Sequence, residues 1–274
     1  MRIAFLGTIG GAEPQAVGHH SSFLVEHGNR FYVFDAGEGC SRTAHLLGYD
    51  LTRIRAVFIS HTHMDHIGGL ANLLWDIRKV HNVGHIAARR SSEETLDVHI
   101  PNPVVWDAVM TLLRHTEGNF STGFEVAGRP VLDGVIFDED GMRVTALGNG
   151  HMPAAPDGSA LSYSLRIDGE GASVVYSGDV ARPEEIAPLL DQRCDLLLME
   201  TGHHSVVDVC EFARSYSRRI GGLCFTHNGR EILGDREAAL ETARRHFGPN
   251  VMIAGDGLIV DPVTRSPQNQ PLTR

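Results

Sequence analysis

The segment around residue 60 concentrates side chains that bind metal ions. Four such residues fall within six positions: His61, His63, Asp65 and His66. They directly follow a strand-like run and directly precede a helical pattern. Alternate side chains of an extended chain share one face, so His61 and His63 can face the same ion. The turn into the helix redirects Asp65 and His66 toward a second ion. Because imidazole and carboxylate are zinc ligands, the segment predicts two half-sites side by side.

A histidine-rich loop without metal is the alternative interpretation of this segment. Two histidines alone would leave that interpretation competitive with a metal site. The H-x-H-x-D-H spacing at a strand end has few purely structural explanations, because burying so many titratable groups without partners is costly. We therefore expect a metal site that is completed by ligands from elsewhere in the chain.

Three later segments strengthen the metal interpretation through a family resemblance. The sequence resembles the metallo-β-lactamase superfamily and, within it, ribonuclease Z and related phosphodiesterases. The match covers roughly residues 1–80 and 140–262. Besides the histidine motif, it includes the D-x-G-E-G segment at 35–39 and the surroundings of His151, Asp179 and His227.

The resemblance implies a fold, a cofactor and a ligand set. The fold is a four-layer αββα sandwich of the α+β class, and the cofactor is a pair of divalent ions. One ion would take three histidines: His61, His63 and His151. The other ion would take Asp65, His66 and His227. Asp179 would bridge the two ions together with a water or hydroxide. Zinc suits these nitrogen and oxygen donors, and Mn²⁺ or Fe²⁺ could occupy the same set.

Further residues resemble the catalytic groups of the ribonuclease Z branch. Asp65 is expected to act as a ligand and to accept a proton from the water. Glu200 resembles the glutamate of the family's H-E-A-T segment, although Met199 replaces its histidine. Asp35 is expected to orient a ligand histidine, because metal-bound imidazoles usually donate their other N–H to a carboxylate or carbonyl.

His204 is the predicted general acid. With Ser205 it resembles the family's H-S-T segment, although it comes much earlier in the chain. A histidine near the metals could protonate a leaving oxygen. The alternative is a histidine at a helix start, away from the reaction, with Ser205 or Thr201 as the N-cap. His203 is the less favoured candidate for the same role.

The ligand types narrow the reaction. A cysteine at position 179 would resemble the zinc β-lactamases, and a glutamate at position 63 would resemble the di-iron reductases. Asp179 instead resembles the phosphodiesterase, lactonase and thioesterase branches, and His63 argues against redox chemistry. The leading hypothesis is hydrolysis of a phosphodiester, either in a small cyclic or aryl ester or at an RNA end. The alternative is hydrolysis of a carboxylic ester, thioester or lactone, with Trp75 and Trp106 as candidate pocket walls. A third class is a non-catalytic metal-binding protein.

Two sheets with helices outside them must position these residues. The first half predicts strands at Arg2–Leu6, Ser22–Glu26, Phe31–Asp35 and Arg55–Ser60. It predicts helices at Ser41–Leu47 and Ile67–Val80. The second half predicts strands at Met142–Gly148, Leu161–Ile167, Ala172–Ser177, Leu196–Glu200, Gly222–Phe225, Val251–Ala254 and Gly257–Val260. Its predicted helices are Pro183–Leu190, Val206–Arg214 and Arg236–Phe247. We expect one domain over 1–274, with an inserted elaboration at about 84–134 that contains a helix at Val104–His115.

Composition is consistent with a cytoplasmic globular enzyme. The chain has 274 residues, 42% of them hydrophobic, and a formal charge of −10. An acidic chain is not a dedicated nucleic-acid binder, although a partner subunit in a homodimer could help to grip RNA. A loose basic cluster could steer a phosphate: Arg78, Lys79, Arg89 and Arg90. No apolar run reaches the roughly 20 residues of a membrane span, and the four cysteines are expected to be buried thiols.

Overall fold

Two mixed β-sheets stack face to face in the computed structural model, which describes residues 1–11, 13, 15–83, 94–116 and 118–269. The first sheet has the strand order β15-β14-β1-β2-β3-β4-β5-β6. Its strands are β1 (Arg2–Gly7), β2 (Ser22–His27), β3 (Arg30–Phe34), β4 (Ile54–Phe58), β5 (Thr95–His99), β6 (Glu125–Arg129), β14 (Leu258–Val260) and β15 (Pro267–Asn269).

The second sheet has the order β13-β12-β11-β10-β9-β8-β7. Its strands are β7 (Gly134–Glu139), β8 (Met142–Gly148), β9 (Tyr163–Gly169), β10 (Ala172–Tyr176), β11 (Leu196–Glu200), β12 (Leu223–Thr226) and β13 (Val251–Ile253). Strands β10 to β13 run parallel to one another. Their carboxyl ends therefore open onto one edge of the sandwich.

Helices cover both outer faces. The α-helices are α1 (Cys40–Leu46), α2 (Met64–Ile67), α3 (Leu70–Val83), α4 (Pro103–Thr116), α5 (Val206–Ser215), α6 (Arg230–Gly234) and α7 (Arg236–His246). Helices α1, α3 and α4 pack on the first sheet, and α5 and α7 pack on the second. The predicted helix over Pro183–Leu190 is a 3₁₀ helix, with Pro188 inside it.

Strand alternation divides the apolar residues among three layers of core. In β3, Tyr32 and Phe34 point between the sheets, whereas Phe31 and Val33 point toward the helices. This period of two is the pattern of a strand whose two faces are both buried. The four-layer αββα sandwich predicted from the sequence is confirmed.

The described part of the predicted elaboration, which was expected at about 84–134, enters the first sheet directly through residues 95–99 and 125–129. Strands β5 and β6 continue it beyond β4 with parallel pairing, and α4 is the crossover between them. Residues 84–93, which include Arg89 and Arg90 of the basic cluster, lie outside the described residues. All four cysteines are free and buried. No helix in the described part of the chain has the length and apolar character needed to cross a bilayer.

Candidate metal centre

The turn between β4 and α2 delivers the histidine motif to the edge of the first sheet. β4 ends at Phe58, and His63 is the N-cap residue of α2 in extended conformation. His61 and His66 are fully buried, whereas His63 is exposed. The motif therefore runs from the interior to the rim of the site.

Three strands of the second sheet deliver the later residues to the same edge. His151 follows β8, Asp179 follows β10 and His227 follows β12. Asp179 and His227 are buried. His227 has a left-handed backbone, with φ of 48°. A non-glycine residue in this region is strained, and such strain is common where a side chain must be aimed at a functional site.

The first group of potential ligands contains three histidines and one carboxylate: His61, His63, His151 and Asp179. Nδ1 of His63 lies 3.0 Å from Nε2 of His61 and 3.1 Å from Nε2 of His151. Oδ2 of Asp179 lies 3.8 Å and 3.6 Å from the same two Nε2 atoms. These four side chains surround a space of the size that a single cation fills.

The second group shares the same aspartate: Asp65, His66, Asp179 and His227. Nε2 of His227 lies 3.1 Å from Oδ2 of Asp65 and 3.3 Å from Oδ2 of Asp179. Nε2 of His66 lies 3.5 Å from Oδ2 of Asp65. The structure thus brings together all seven residues predicted as ligands, and Asp179 stands between the two groups.

Buried polar atoms without partners fit a bound cation. Nε2 of His66 and Oδ1 of Asp179 are 3.3 Å apart, and neither has a hydrogen-bond partner among the described residues. Buried polar atoms are usually satisfied. A donor set of imidazole nitrogens and carboxylate oxygens matches zinc and similar divalent ions.

The pKa shifts of these groups favour the protonation states that bind a metal ion. Burial lowers the pKa of His61 well below its usual value, which keeps the imidazole neutral. Burial alone would raise the pKa of Asp179, but the imidazoles of His227 and His66 hold it well below its usual range. Neutral imidazole and ionised carboxylate are the forms that bind metal.

Asp35 holds one histidine from each group. Its Oδ2 accepts hydrogen bonds from Nδ1 of His66 at 2.8 Å and from the hydroxyl of Tyr176 at 2.7 Å. Oδ1 of Asp35 accepts from the backbone N–H of Ser60 at 2.7 Å, and Oδ2 also accepts from the Ser60 hydroxyl at 2.9 Å. The Ser60 hydroxyl contacts Nδ1 of His61 at 3.1 Å. Asp35, with φ of 54°, therefore fixes both rings.

His203, not the predicted His204, faces the metal-ligand groups. Nδ1 of His203 lies 3.1 Å from Oε1 of Glu200 and 3.6 Å from Oδ2 of Asp179. Its side chain is 44% exposed, and that of His204 is 13% exposed. Nε2 of His204 instead contacts the backbone carbonyl of Val180 at 2.9 Å. The hydrogen bond to Glu200 raises the pKa of His203.

The local backbone explains why His203 rather than His204 faces the ligand groups. Ser205 is the N-cap of α5 and accepts the N–H of Asp208, so His204 is held at the helix start. Glu200 is fully buried, and its Oε2 accepts the backbone N–H of His203 at 2.8 Å. Glu200 thus positions His203 through both its backbone and its ring.

Glycines form the walls of a small cavity beside the second group. The cavity has a volume of about 270 Å³, and its lining residues are Gly10, Gly11, Gly202, His203, His227, Gly229 and Arg230. A Cβ on Gly202 would lie 2.5 Å from the His227 ring, and one on Gly10 would lie 2.8 Å away. The backbone can therefore approach both sides of this imidazole only because these two positions are glycine.

Arg230 brings the positive charge of this cavity. Its side chain is 84% exposed and forms an ion pair with Glu13 at 3.2 Å. None of these glycines nor Arg230 stood out in the sequence. The one sequence feature that could have indicated them is the Gly229-Arg230 pair, which directly follows His227 and Asn228.

Comparison with known proteins shows which family the chain belongs to. The family model described as "Anti-Pycsar protein Apyc1" matches residues 1–220. A ribonuclease Z of Methanothermobacter thermautotrophicus is 29% identical, over 95% of this chain and 96% of that protein. A ribonuclease Z of Mycobacterium avium is 26% identical, over 92% of this chain and 85% of that protein.

Solved structures share the fold. The metallo-β-lactamase fold protein YhfI of Bacillus subtilis has a TM-score of 0.71 at 20% identity, covering 95% of this chain and 99% of that one. The short form of human tRNase Z has a TM-score of 0.69 at 20% identity, with the same coverage. The resemblance inferred from the histidine motif is confirmed.

Proposed function

Since the chain belongs to the Anti-Pycsar protein Apyc1 family, we propose that it is a metal-dependent hydrolase that cleaves a phosphodiester with two divalent ions, most simply zinc. The observation that carries this proposal is the shared position of Asp179, whose carboxylate belongs to both groups of ligands. A single carboxylate between two sets of imidazoles is what a dinuclear centre requires. The ribonuclease Z names of the curated relatives support the phosphodiester class.

Seven residues of this chain would hold the ions: His61, His63, Asp65, His66, His151, Asp179 and His227. When bound, two divalent ions would lower the pKa of water toward neutral and would offset the negative charge of the phosphate. Asp65 is in place to accept the proton of the attacking water, since its carboxylate borders the second group.

His203 is our candidate for the proton donor to the leaving oxygen. Its Nδ1 faces Glu200, which leaves Nε2 to carry the transferable proton. Glu200 is a positioning residue, because it is buried and holds the ring and backbone of His203. Glu200 thereby fixes the ring of His203 at the edge of the ligand groups, with Nδ1 3.6 Å from Oδ2 of Asp179, and a fixed position is what a general acid needs.

A small phosphodiester fits the cavity better than an acyl substrate. The seven described residues that line it are glycines, two histidines and Arg230, so they offer no aliphatic or other aromatic wall for an acyl chain. Trp75 and Trp106 instead pack into the core under α3 and α4. Arg230 can exchange Glu13 for a phosphate oxygen at low cost, because exposed ion pairs contribute only about 0–1 kcal/mol.

An RNA end is the second candidate substrate. The curated relatives named ribonuclease Z align over most of their length with this chain, which favours it. The acidic net charge and the small cavity favour a small molecule instead.

The deciding experiment is a substrate panel run with metal analysis. The panel compares bis(p-nitrophenyl) phosphate, a cyclic mononucleotide, a pre-tRNA, a thioester and a lactone. We expect hydrolysis of the phosphodiesters, loss of activity with a chelator, and recovery on addition of Zn²⁺ or Mn²⁺. Activity confined to the thioester or lactone, or activity that survives complete metal removal, would disprove the proposal.

A further inference from the structure

A second and larger cavity lies where β13 ends and β14 begins. It has a volume of about 690 Å³, within the usual range of small-molecule sites. Its walls include apolar side chains, among them Met252 and Leu258, and its polar lining residues include Arg236, Arg265 and Asn250. We call it the β13–β14 cavity. None of the predicted metal ligands lines it.

Arg236 enters this cavity without a carboxylate partner. Its Nη1 and Nη2 donate to the backbone carbonyls of Ala254 at 3.1 Å and Ile253 at 2.5 Å. No carboxylate of the described residues lies within 4.0 Å of the guanidinium. A guanidinium has five N–H donors in a planar fork, so these two carbonyls leave donors free. Desolvation lowers the pKa of Arg236, which agrees with a charge that lacks a counterion.

Arg265 is the second positively charged side chain of the cavity, and the neighbouring backbone constrains its position. Its stem lies over Gly222, where a Cβ would come within 2.5 Å of Arg265 Cδ. Arg265 has a left-handed backbone, with φ of 58°, a strained state that needs support from its surroundings. In the described part of the chain, this side chain also has no acidic partner within salt-bridge distance.

The one acidic side chain on the cavity wall is already occupied. Oδ1 of Asp256 accepts the hydroxyl of Thr8 at 2.8 Å, and its Oδ2 accepts the backbone N–H of His19 at 2.7 Å. Burial raises the pKa of Asp256 above its usual value. The lining thus has an excess of positive charge in a chain whose formal charge is −10.

We propose that the β13–β14 cavity binds a small anion with a phosphate dianion group, either inorganic phosphate or a phosphate monoester, at a site separate from the metal centre. Two guanidiniums match a phosphate monoester, which carries about −1.5 to −2 charge at pH 7. The planar fork of arginine suits two-point contact with phosphate oxygens. The apolar walls around Met252 and Leu258 leave room for an organic group on the phosphate, so both inorganic phosphate and a phosphorylated small molecule share the chemistry.

The cavity contacts the metal centre through one carbonyl. Ala254 O accepts from Nη1 of Arg236 and also from Nδ2 of Asn228 at 3.1 Å. Asn228 directly follows the ligand His227. A ligand that draws Arg236 toward itself therefore changes the surroundings of a residue next to the metal centre, while binding itself needs no metal.

Calorimetric titration of the full-length protein with inorganic phosphate and with adenosine 5′-monophosphate tests this site. The titrations use the holoenzyme and the chelator-treated protein. Chelation removes the metal ions, so any phosphate that they would bind does not contribute to the second titration. We expect saturable binding that persists after chelation and that Arg265→Gln weakens by about tenfold or more. Arg143→Gln is the matched control, because Arg143 is exposed and lies on β8 toward the opposite edge of the second sheet. Tighter binding of the nucleotide identifies an organic phosphate as the ligand, and equal binding identifies free phosphate.

Three outcomes would overturn the proposal. The first is that the chelated protein binds neither ligand. The second is that Arg265→Gln and Arg143→Gln bind equally well. The third is binding of a short RNA oligonucleotide without binding of either small anion. If Arg265→Gln unfolds, as judged by circular dichroism, Arg265→Lys keeps the charge and is expected to lose about threefold to tenfold in affinity; unchanged affinity there would also count against the site. Loss of hydrolysis in the substrate panel leaves this result unaffected.

Discussion

Asp35 and His66 form a fully buried carboxylate–imidazole pair, with 2.8 Å between Oδ2 and Nδ1. The pair ties the end of β3 to α2 and leaves Nε2 of His66 directed at Asp179. Tyr176 donates to the same Oδ2 from the second sheet. One carboxylate therefore sets the orientation of a ligand and links both sheets behind it.

Replacing Asp35 with Asn should weaken metal binding without removing a ligand. The amide keeps the shape but loses the charge and presents N–H groups to donors that need an acceptor. Loss of a group that supports a ligand typically costs about 10–100-fold in metal affinity or activity. Competition with a fluorescent zinc chelator measures the affinity. Asp133→Asn, at an exposed position that accepts the N–H of Gly148, is the control, and equal affinity in the two variants would count against the assigned role.

Asp179→Ala should remove more metal than His63→Ala. Asp179 belongs to both groups of ligands, whereas His63 belongs to one. We expect hydrolysis to be abolished in both variants, with bound metal falling further in Asp179→Ala. Elemental analysis after gel filtration, together with an assay on bis(p-nitrophenyl) phosphate, checks both expectations. Full activity in either variant would be incompatible with the proposed centre.

The sequence predicted the seven candidate ligands by two routes, which were the local spacing of residues 61–66 and, for the three later residues, the family resemblance. His61 and His66 lie in one short segment, and His151, Asp179 and His227 each come just after a strand. It also predicted most strands of both sheets, since alternation within β3 or β8 is readable along the chain. These features depend on neighbours in sequence, which pattern analysis can see.

The sequence could not predict the direction in which side chains point after a strand ends. His203 and His204 are adjacent and chemically identical, and the Ser205 cap together with the buried Glu200 decides which one faces the metal centre. The stretch containing β5 and β6 was interpreted as an elaboration because its pattern is less regular and includes Pro101 and Pro103, and its pairing with the distant β4 cannot be read from neighbours in sequence. Arg230 gains its place from the backbone hydrogen bonds of residues 8 and 10 with residue 228.

His203→Ala should slow hydrolysis most for poor leaving groups. A general acid contributes about 10²–10⁴-fold when the leaving oxygen needs a proton, and p-nitrophenolate needs little help. We expect a large loss of kcat on a methyl or nucleoside ester and a small loss on the p-nitrophenyl ester. His204→Ala should show no such difference between substrates, because its ring is held on the Val180 carbonyl. Equal losses on both esters in His203→Ala would rule out proton donation.

Gly202→Ala should disturb the second group of ligands through a single methyl. The new Cβ would lie 2.5 Å from the His227 ring, so the ring must move away from Asp65. We expect about half of the bound metal to be lost, with activity falling in parallel. Gly234→Ala is the matched control, since nothing lies within 4 Å of its added Cβ. Retention of full metal content by Gly202→Ala would show that the ring position is not confined as described.

Arg230→Ala should raise KM for anionic phosphodiesters more than it lowers kcat. Its guanidinium lines the small cavity and is held by an exposed pair with Glu13, so it can contact the substrate phosphate. A rise in KM of about tenfold is the size expected for one charged hydrogen bond. Arg244→Ala, an exposed arginine on α7, should leave both constants unchanged. An unchanged KM in Arg230→Ala would exclude this contact.

The ligands divide between the two halves of the sandwich, with residues 61–66 following β4 and residues 151, 179 and 227 following strands of the other sheet. Neither sheet has a complete set for either ion. Any sliding of one layer over the other would therefore separate donors before it exposed much apolar surface. Bound cations would then hold the two sheets in alignment. Their removal should first loosen the alignment of the sheets, before either sheet unfolds.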